Sequence, residues 1–216
     1  AQAIDVNRVY ADKLGVPASA AITCVKPSGT VSQLTDTASG IHARHSEYYI
    51  RTVRGDNKDP LTQFMKDSGI PAEPCVMKPD STTVFSFPTK SPSGAVTRND
   101  MTALQQLELW KNYALNFCEH KPSVTITVKD AEWMAVGAWV YENFDICSGI
   151  SFLPHSDHSY AQAPYQEIDK EQYEELKKQM PASIDWAALS LYEKEDTTSG
   201  SQTLACTAGA CELVDI

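Results

Sequence analysis

Apolar residues recur every three or four positions at Val6, Val9, Tyr10 and Leu14, one face of a helix that Gly15 and Pro17 stop. Residues 20–25 (AAITCV) are instead an unbroken apolar run, the pattern of a buried strand. That run leads straight into Lys26-Pro27-Ser28-Gly29-Thr30. Residues 48–53 and 84–87 are strand-like, with β-branched and aromatic side chains between turn-rich stretches. Met101, Leu104, Leu107, Trp110, Tyr113 and Phe117 give the clearest helical period, with Asn99 as the expected cap and Pro122 as the end. Across 123–129, Val124, Ile126 and Val128 alternate with Thr125 and Thr127, which predicts a strand.

Asp130 is expected to cap a helix through Trp133, Met134, Val140 and Tyr141, and the apolar run 149–154 follows. Strand, helix and strand joined by short links predict a right-handed parallel crossover. Asp169, with Gln172 three residues later, forms a capping box opening a last helix that Pro181 closes. Residues 194–205 (KEDTTSGSQTLA) turn polar and rich in Gly, Ser and Thr, the composition of a flexible linker. An α/β domain over 1–192 with a tail over 193–216 is the expected organisation.

Charge narrows the function. The 216 residues carry 18 Lys plus Arg against 28 Asp plus Glu, a net charge of −10. That balance repels a nucleic-acid polymer, whereas a single nucleotide needs only one local site. No stretch approaches the roughly 18 uninterrupted apolar residues of a membrane helix, and the N-terminal residues lack an apolar signal core. The expectation is a soluble, cytoplasmic protein with no membrane partner. The six cysteines, at 24, 75, 118, 147, 206 and 211, are mostly far apart and fit a reducing compartment. The chain starts at Ala1 rather than Met, and a piece of a longer protein is expected.

Four constellations could carry chemistry. In Lys26 to Thr30, backbone N–H groups, hydroxyls and the lysine could cradle a phosphate; the alternative is an ordinary turn, and the Walker A spacing is absent. Cys206 and Cys211 are separated by four residues including Gly209. A structural disulfide there would tie down little, and half a zinc site lacks its second pair of ligands. The remaining reading is a dithiol that cycles with a disulfide. His155-Ser156-Asp157-His158 follows a strand end and is either a metal ligand group or a solvated loop. Cys118, beside Glu119 at the end of an amphipathic helix, is either a catalytic thiol or a small buried one.

Lys26 to Thr30 after an apolar strand, Gly40-Ile41-His42, Tyr48 to Arg54 and His120 to Ile126 together resemble the C-terminal part of an adenosylcobalamin-dependent ribonucleotide reductase. So do Gly149 to His155, Tyr160-Ala161-Gln162-Ala163-Pro164-Tyr165 and the terminal Cys206-x4-Cys211. The likeness is greatest to the monomeric, triphosphate-reducing class II branch.

The resemblance implies the second half of a ten-stranded α/β barrel with a flexible C-terminal tail. It implies reduction of ribonucleoside triphosphates by thiyl-radical chemistry, with Lys26, Pro27, Ser28, Gly29 and Thr30 at the substrate phosphates. His42, His155, Tyr160 and Gln162 fall in motifs placed at the adenosylcobalamin. Cys206 and Cys211 would reload the active-site cysteines and be reduced in turn by a thioredoxin-type protein; no metal site is implied. The family's Asn-x-Cys-x-Glu finger loop and its effector region lie upstream and have no counterpart here. The expectation is therefore a split or truncated enzyme, inactive alone, that assembles with an N-terminal reductase chain. The competing readings are a non-catalytic nucleotide- or cobalamin-binding module derived from such an enzyme, and a standalone phosphate-binding enzyme using His155 or His158.

Overall fold

In a computed structural model of the chain, the described residues are 2–29, 31–155 and 160–193, with the backbone alone at 206–207 and 210–211. The elements in order are α1 (Gln2–Leu14), α2 (Val31–Leu34), β1 (Tyr48–Asp56), α3 (Pro60–Asp67), β2 (Ala72–Pro74), β3 (Thr82–Lys90) and α4 (Ala103–Asn116). After them come β4 (Val124–Val128), α5 (Trp133–Glu142), β5 (Ile150–Pro154), β6 (Tyr165–Glu167), α6 (Lys170–Gln179), β7 (Cys206–Thr207) and β8 (Ala210–Cys211). Single 3-10 turns occupy Asp130–Glu132 and Trp186–Leu191. The chain forms two compact units, one of Ala1–Arg44 and Pro92–Ser156, the other of His45–Ser91 and Asp157–Ile216.

The first unit is built on β4. Its alternation is realised in full: Val124, Ile126 and Val128 are buried, while Thr125 and Thr127 face the other way. Leu107 and Trp110 from α4 and Val136 and Trp139 from α5 pack with those three strand residues, together with Ile41 and Ala103. The Trp110 indole N–H donates to the Pro122 carbonyl at 3.2 Å, so this buried aromatic leaves no orphan donor. β5 pairs parallel with β4, Val124 opposite Ile150, and α5 lies in the connection, so the expected parallel crossover is present. Gly149 (φ +42°) makes the entry to β5 possible: a Cβ there would stand 2.6 Å from the Pro122 carbonyl oxygen.

Three local expectations for this unit are corrected. Residues 20–25 form no strand. The Thr23 carbonyl accepts from the N–H groups of Glu119 and His120, that of Val25 accepts from Ser123, and the Glu119 carboxylate accepts from the Ile22 N–H. These partners belong to the loop between α4 and β4, so no ladder can form. The cap of α4 is Thr102, in a reciprocal capping box with Gln105. Asn99 is held instead in a turn that Thr97 and Asp100 close. Asp130 opens a 3-10 turn rather than capping α5. Glu132 takes the polar role there, accepting from the N–H groups of Lys129 and Ala103. α1 forms as expected, yet Val6, Val9, Tyr10 and Leu14 are exposed and only Ala11 is buried.

The second unit is a four-stranded antiparallel sheet in the order β2-β3-β1-β6. β1 and β3 pair over nine residues, from Tyr48 opposite Lys90 to Asp56 opposite Thr82. Tyr49, Val84 and Phe85 are buried on this sheet, and Phe64 from α3 is buried as well. α3 starts at Pro60, where Asp59 accepts from the Leu61 N–H. α6 carries the expected Asp169–Gln172 capping box. The fold is thus mixed α/β, and the sheets of the described residues are open. Thr30 and the linker 194–205 lie outside those residues.

Candidate functional site

In the first unit, segments around Lys26, Ser39 and Thr125 interlock. Gly40 (φ +61°) approaches so closely that a Cβ would lie 2.8 Å from the Lys26 carbonyl oxygen. This contact lets Ser39 reach the turn, where its hydroxyl accepts from the Ser28 N–H at 2.9 Å. The Ser39 carbonyl accepts from Nδ1 of His42 at 2.7 Å, and Nε2 of His42 accepts from the Thr125 N–H at 2.9 Å. Lys26 donates from Nζ to the Ser123 hydroxyl at 2.7 Å, and Gly29 adopts a left-handed φ of +58°. The result is one ammonium with the hydroxyls of Ser28, Ser39 and Ser123 around a tight turn, chemistry suited to phosphate oxygens.

Of the sequence candidates, the structure brings Lys26, Pro27, Ser28 and Gly29 together in that turn with His42 bracing it. Thr30 lies outside the described residues. His155 is in the same unit but is engaged elsewhere: its Nε2 lies 3.2 Å from the Asn99 side-chain oxygen. Ser39 and Ser123 were not legible as members of the site, because nothing in their local pattern reports a contact made across 11 or 97 residues. The sequence pointers were the place of Ser123 inside the His120 to Ile126 stretch and of Ser39 beside Gly40.

Tyr160 and Gln162 lie in the second unit. Tyr160 is exposed, whereas Gln162 is buried with a left-handed φ of +58°. Its amide donates to the Pro74 carbonyl at 2.8 Å and to Glu73 at 2.9 Å, and its oxygen accepts from the Val76 N–H at 2.8 Å. Arg54 donates to its backbone carbonyl at 3.0 Å. Gln162 therefore clamps the turn that carries Cys75. Burial pushes the Cys75 thiol up, but the N–H groups of Lys78 and Met77 and the Arg54 guanidinium outweigh it, leaving the thiol below its ordinary range. Cys147 has burial alone and is pushed up. Cys118 is partly exposed rather than buried, and Cys24, Cys75, Cys118 and Cys147 are all free thiols.

A cobalamin needs polar groups to spare, and the nominated residues offer few. Neither His42 nor Gln162 can turn to a cofactor without abandoning a backbone group. His42 and His155 belong to the first unit, Tyr160 and Gln162 to the second. Among the described residues, no group of three or more His, Cys, Asp or Glu side chains could hold a metal ion. Nor is any described helix long and apolar enough to cross a membrane.

At the C-terminus, β7 and β8 pair antiparallel with Cys206 directly opposite Cys211. Such cross-strand partners have Cα atoms about 4.5–5.5 Å apart, within the roughly 4.4–6.8 Å a disulfide spans.

No family model matches the chain. An adenosylcobalamin-dependent ribonucleoside-triphosphate reductase from Euglena gracilis is 31% identical over 193 residues, covering 88% of this chain and 26% of that protein. The enzyme of the same description from Lactobacillus delbrueckii subsp. bulgaricus is 30% identical over 216 residues, 97% of this chain and 29% of its own length. The homologues of this chain are adenosylcobalamin-dependent ribonucleoside-triphosphate reductases. A crystal structure of a B12-dependent class II ribonucleotide reductase matches with a TM-score of 0.71 at 26% identity, over 89% of this chain and 27% of that one. The chain thus spans less than a third of the length of the reductases it matches.

Proposed function

We propose that this chain supplies the substrate phosphate loop and the reducing dithiol of an adenosylcobalamin-dependent ribonucleoside-triphosphate reductase. The observation that carries the reading is the homology to such enzymes over 88–97% of the chain. It is joined by a terminal hairpin that sets Cys206 against Cys211. The radical cysteine and the effector site belong to the N-terminal part of the reductase. There the open edges of the β4–β5 pair continue into the larger α/β barrel.

Lys26, with the hydroxyls of Ser28, Ser39 and Ser123, binds the substrate triphosphate, and His42 holds their backbone in place. Adenosylcobalamin supplies the radical chemistry when bound to the complete enzyme. Replacing the 2′-hydroxyl by hydrogen releases water and consumes two electrons and two protons, which an active-site dithiol gives up on becoming a disulfide. A thiolate of the Cys206–Cys211 pair attacks that disulfide, the second thiol displaces the mixed disulfide, and the active site is returned as a dithiol. The terminal pair, now oxidised, is reduced by a thioredoxin-type dithiol protein. The free thiols at 24, 75, 118 and 147 support a reducing cytoplasmic setting.

The test joins this chain to the N-terminal part of a reductase and follows deoxynucleotide formation with two reductants. Replacing Cys206 and Cys211 by Ser should abolish turnover driven by a thioredoxin-type protein and spare turnover driven by a small dithiol. Equal turnover of the variant with both reductants would refute the shuttle.

A further inference from the structure

The last contacts described before the terminal cysteines are made on α3. Phe64 is almost wholly buried, 3% exposed, beneath two rings from the far end of the chain. Trp186 packs on it with centroids 5.5 Å apart, and Tyr192 meets it edge-on at 5.4 Å. The Tyr192 hydroxyl donates to Asp67 on the same helix at 3.0 Å. Trp186 and Tyr192 bracket the 3-10 turn Trp186–Leu191, which Asp185 caps by accepting from the Ala187 N–H. The turn is therefore pinned at both ends, although Trp186 is 56% and Leu191 66% exposed. So exposed a segment contributes little to the core, and the expected linker starts two residues beyond its second pin.

We propose that Phe64, Trp186 and Tyr192, latched by Asp67, form a clasp that fixes the origin of the arm bearing Cys206 and Cys211. They are positioning residues for the disulfide exchange, and the inference rests on the shuttle role given above. Fourteen residues separate Tyr192 from Cys206, whereas 27 separate it from Gln179, the end of α6 and the next anchored element upstream. Residues 194–205 have a linker's composition, and random-coil chains of those two lengths have root-mean-square spans of about 20 and about 29 Å. Effective concentration falls roughly as the three-halves power of length, so opening the clasp should dilute the dithiol at its target about threefold.

In the assembled reductase, Trp186→Ala/Tyr192→Ala should lower thioredoxin-driven turnover about threefold and leave dithiol-driven turnover unchanged. A Gly/Ser insertion of thirteen residues after Glu193, in an otherwise native chain, should produce the same loss, since it lengthens the tether equally. A double variant that turns over normally with the protein reductant, or one that loses both activities in parallel, overturns the clasp. So does an insertion without effect. If instead Cys206→Ser/Cys211→Ser keeps its thioredoxin-driven turnover, the shuttle itself is wrong and the clasp falls with it, so the two failures are told apart. On the chain by itself, amides 186–193 should exchange with deuterium slowly and at least tenfold faster in Tyr192→Ala, with β1 and β3 unchanged. Equally fast exchange in the native chain also overturns the proposal.

Discussion

The Thr125 N–H donates to Nε2 of His42 across 2.9 Å, while Nδ1 of the same ring faces the Ser39 carbonyl at 2.7 Å. Because Nε2 must accept, Nδ1 carries the proton, and the ring bridges β4 to the turn above Lys26. Removing it as His42→Ala leaves the half-buried Thr125 N–H unpaired, while the Ser39 carbonyl keeps only the backbone N–H of residue 42 at 3.1 Å, at a cost of about 1–3 kcal/mol. Urea unfolding should show this as a lower midpoint. The reassembled reductase should show a raised KM for nucleotide with little change in kcat, the split expected when a binding loop loses its brace.

Gly40 and Gly94 both adopt left-handed φ angles, +61° and +77°, but differ in surroundings. A Cβ at Gly94 meets nothing within 4 Å, whereas one at Gly40 meets the Lys26 carbonyl oxygen at 2.8 Å. Gly94→Ala should therefore cost only backbone strain, about 1 kcal/mol. Gly40→Ala should cost clearly more and weaken triphosphate binding, because backbone must move. Calorimetric binding of a ribonucleoside triphosphate to the two reassembled variants checks this; equal affinities would remove Gly40 from the site.

Much of this was legible in the sequence wherever a local rule operates. Val124, Ile126 and Val128 are buried because a period of two admits no other placement against α4 and α5. Asp169 and Gln172 form their box because both partners lie within one turn. Residues 20–25 misled on both counts: Ala20 is exposed and 21–25 are only half-buried, and their backbone groups bond the α4–β4 loop rather than a neighbouring strand. Asn99 misled because the helix starts three residues later, where Thr102 and Gln105 satisfy each other's backbone N–H groups, while Asn99 is held in the Thr97–Asp100 turn. Gln162 reads as a polar residue in a reductase-like motif. Its actual partners, Glu73, Pro74 and Val76, are 86 to 89 residues away, and no local pattern encodes them.

Gln162→Ala should be among the more damaging single changes in the second unit. The Val76 N–H and the Pro74 carbonyl lose their partner, and the left-handed backbone stays strained. A loss of about 2–4 kcal/mol is expected from two unsatisfied groups. Gln162→Gly removes the strain but not the unpaired groups, so it should be less harmful by about 1 kcal/mol. Unfolding of both variants in urea decides the matter: a stability close to that of the native chain would show that the amide is not needed as a clamp.

Tyr192 offers a pH signature of the clasp. Its hydroxyl donates to the Asp67 carboxylate, which raises the phenol above its ordinary value of 10, with burial and the carboxylate's charge acting in the same direction. A group whose pKa is higher folded than unfolded contributes stability that is fully present below pH 10. That contribution is lost as pH rises through the folded value. The clasp should therefore hold at neutral pH and loosen only in strong base, when a phenolate would face the carboxylate. Absorbance titration near 295 nm should show one tyrosine ionising later than it does in Asp67→Asn, and Tyr192→Phe should delete that late component. If Asp67→Asn leaves the titration unchanged, the hydroxyl is not latched to α3.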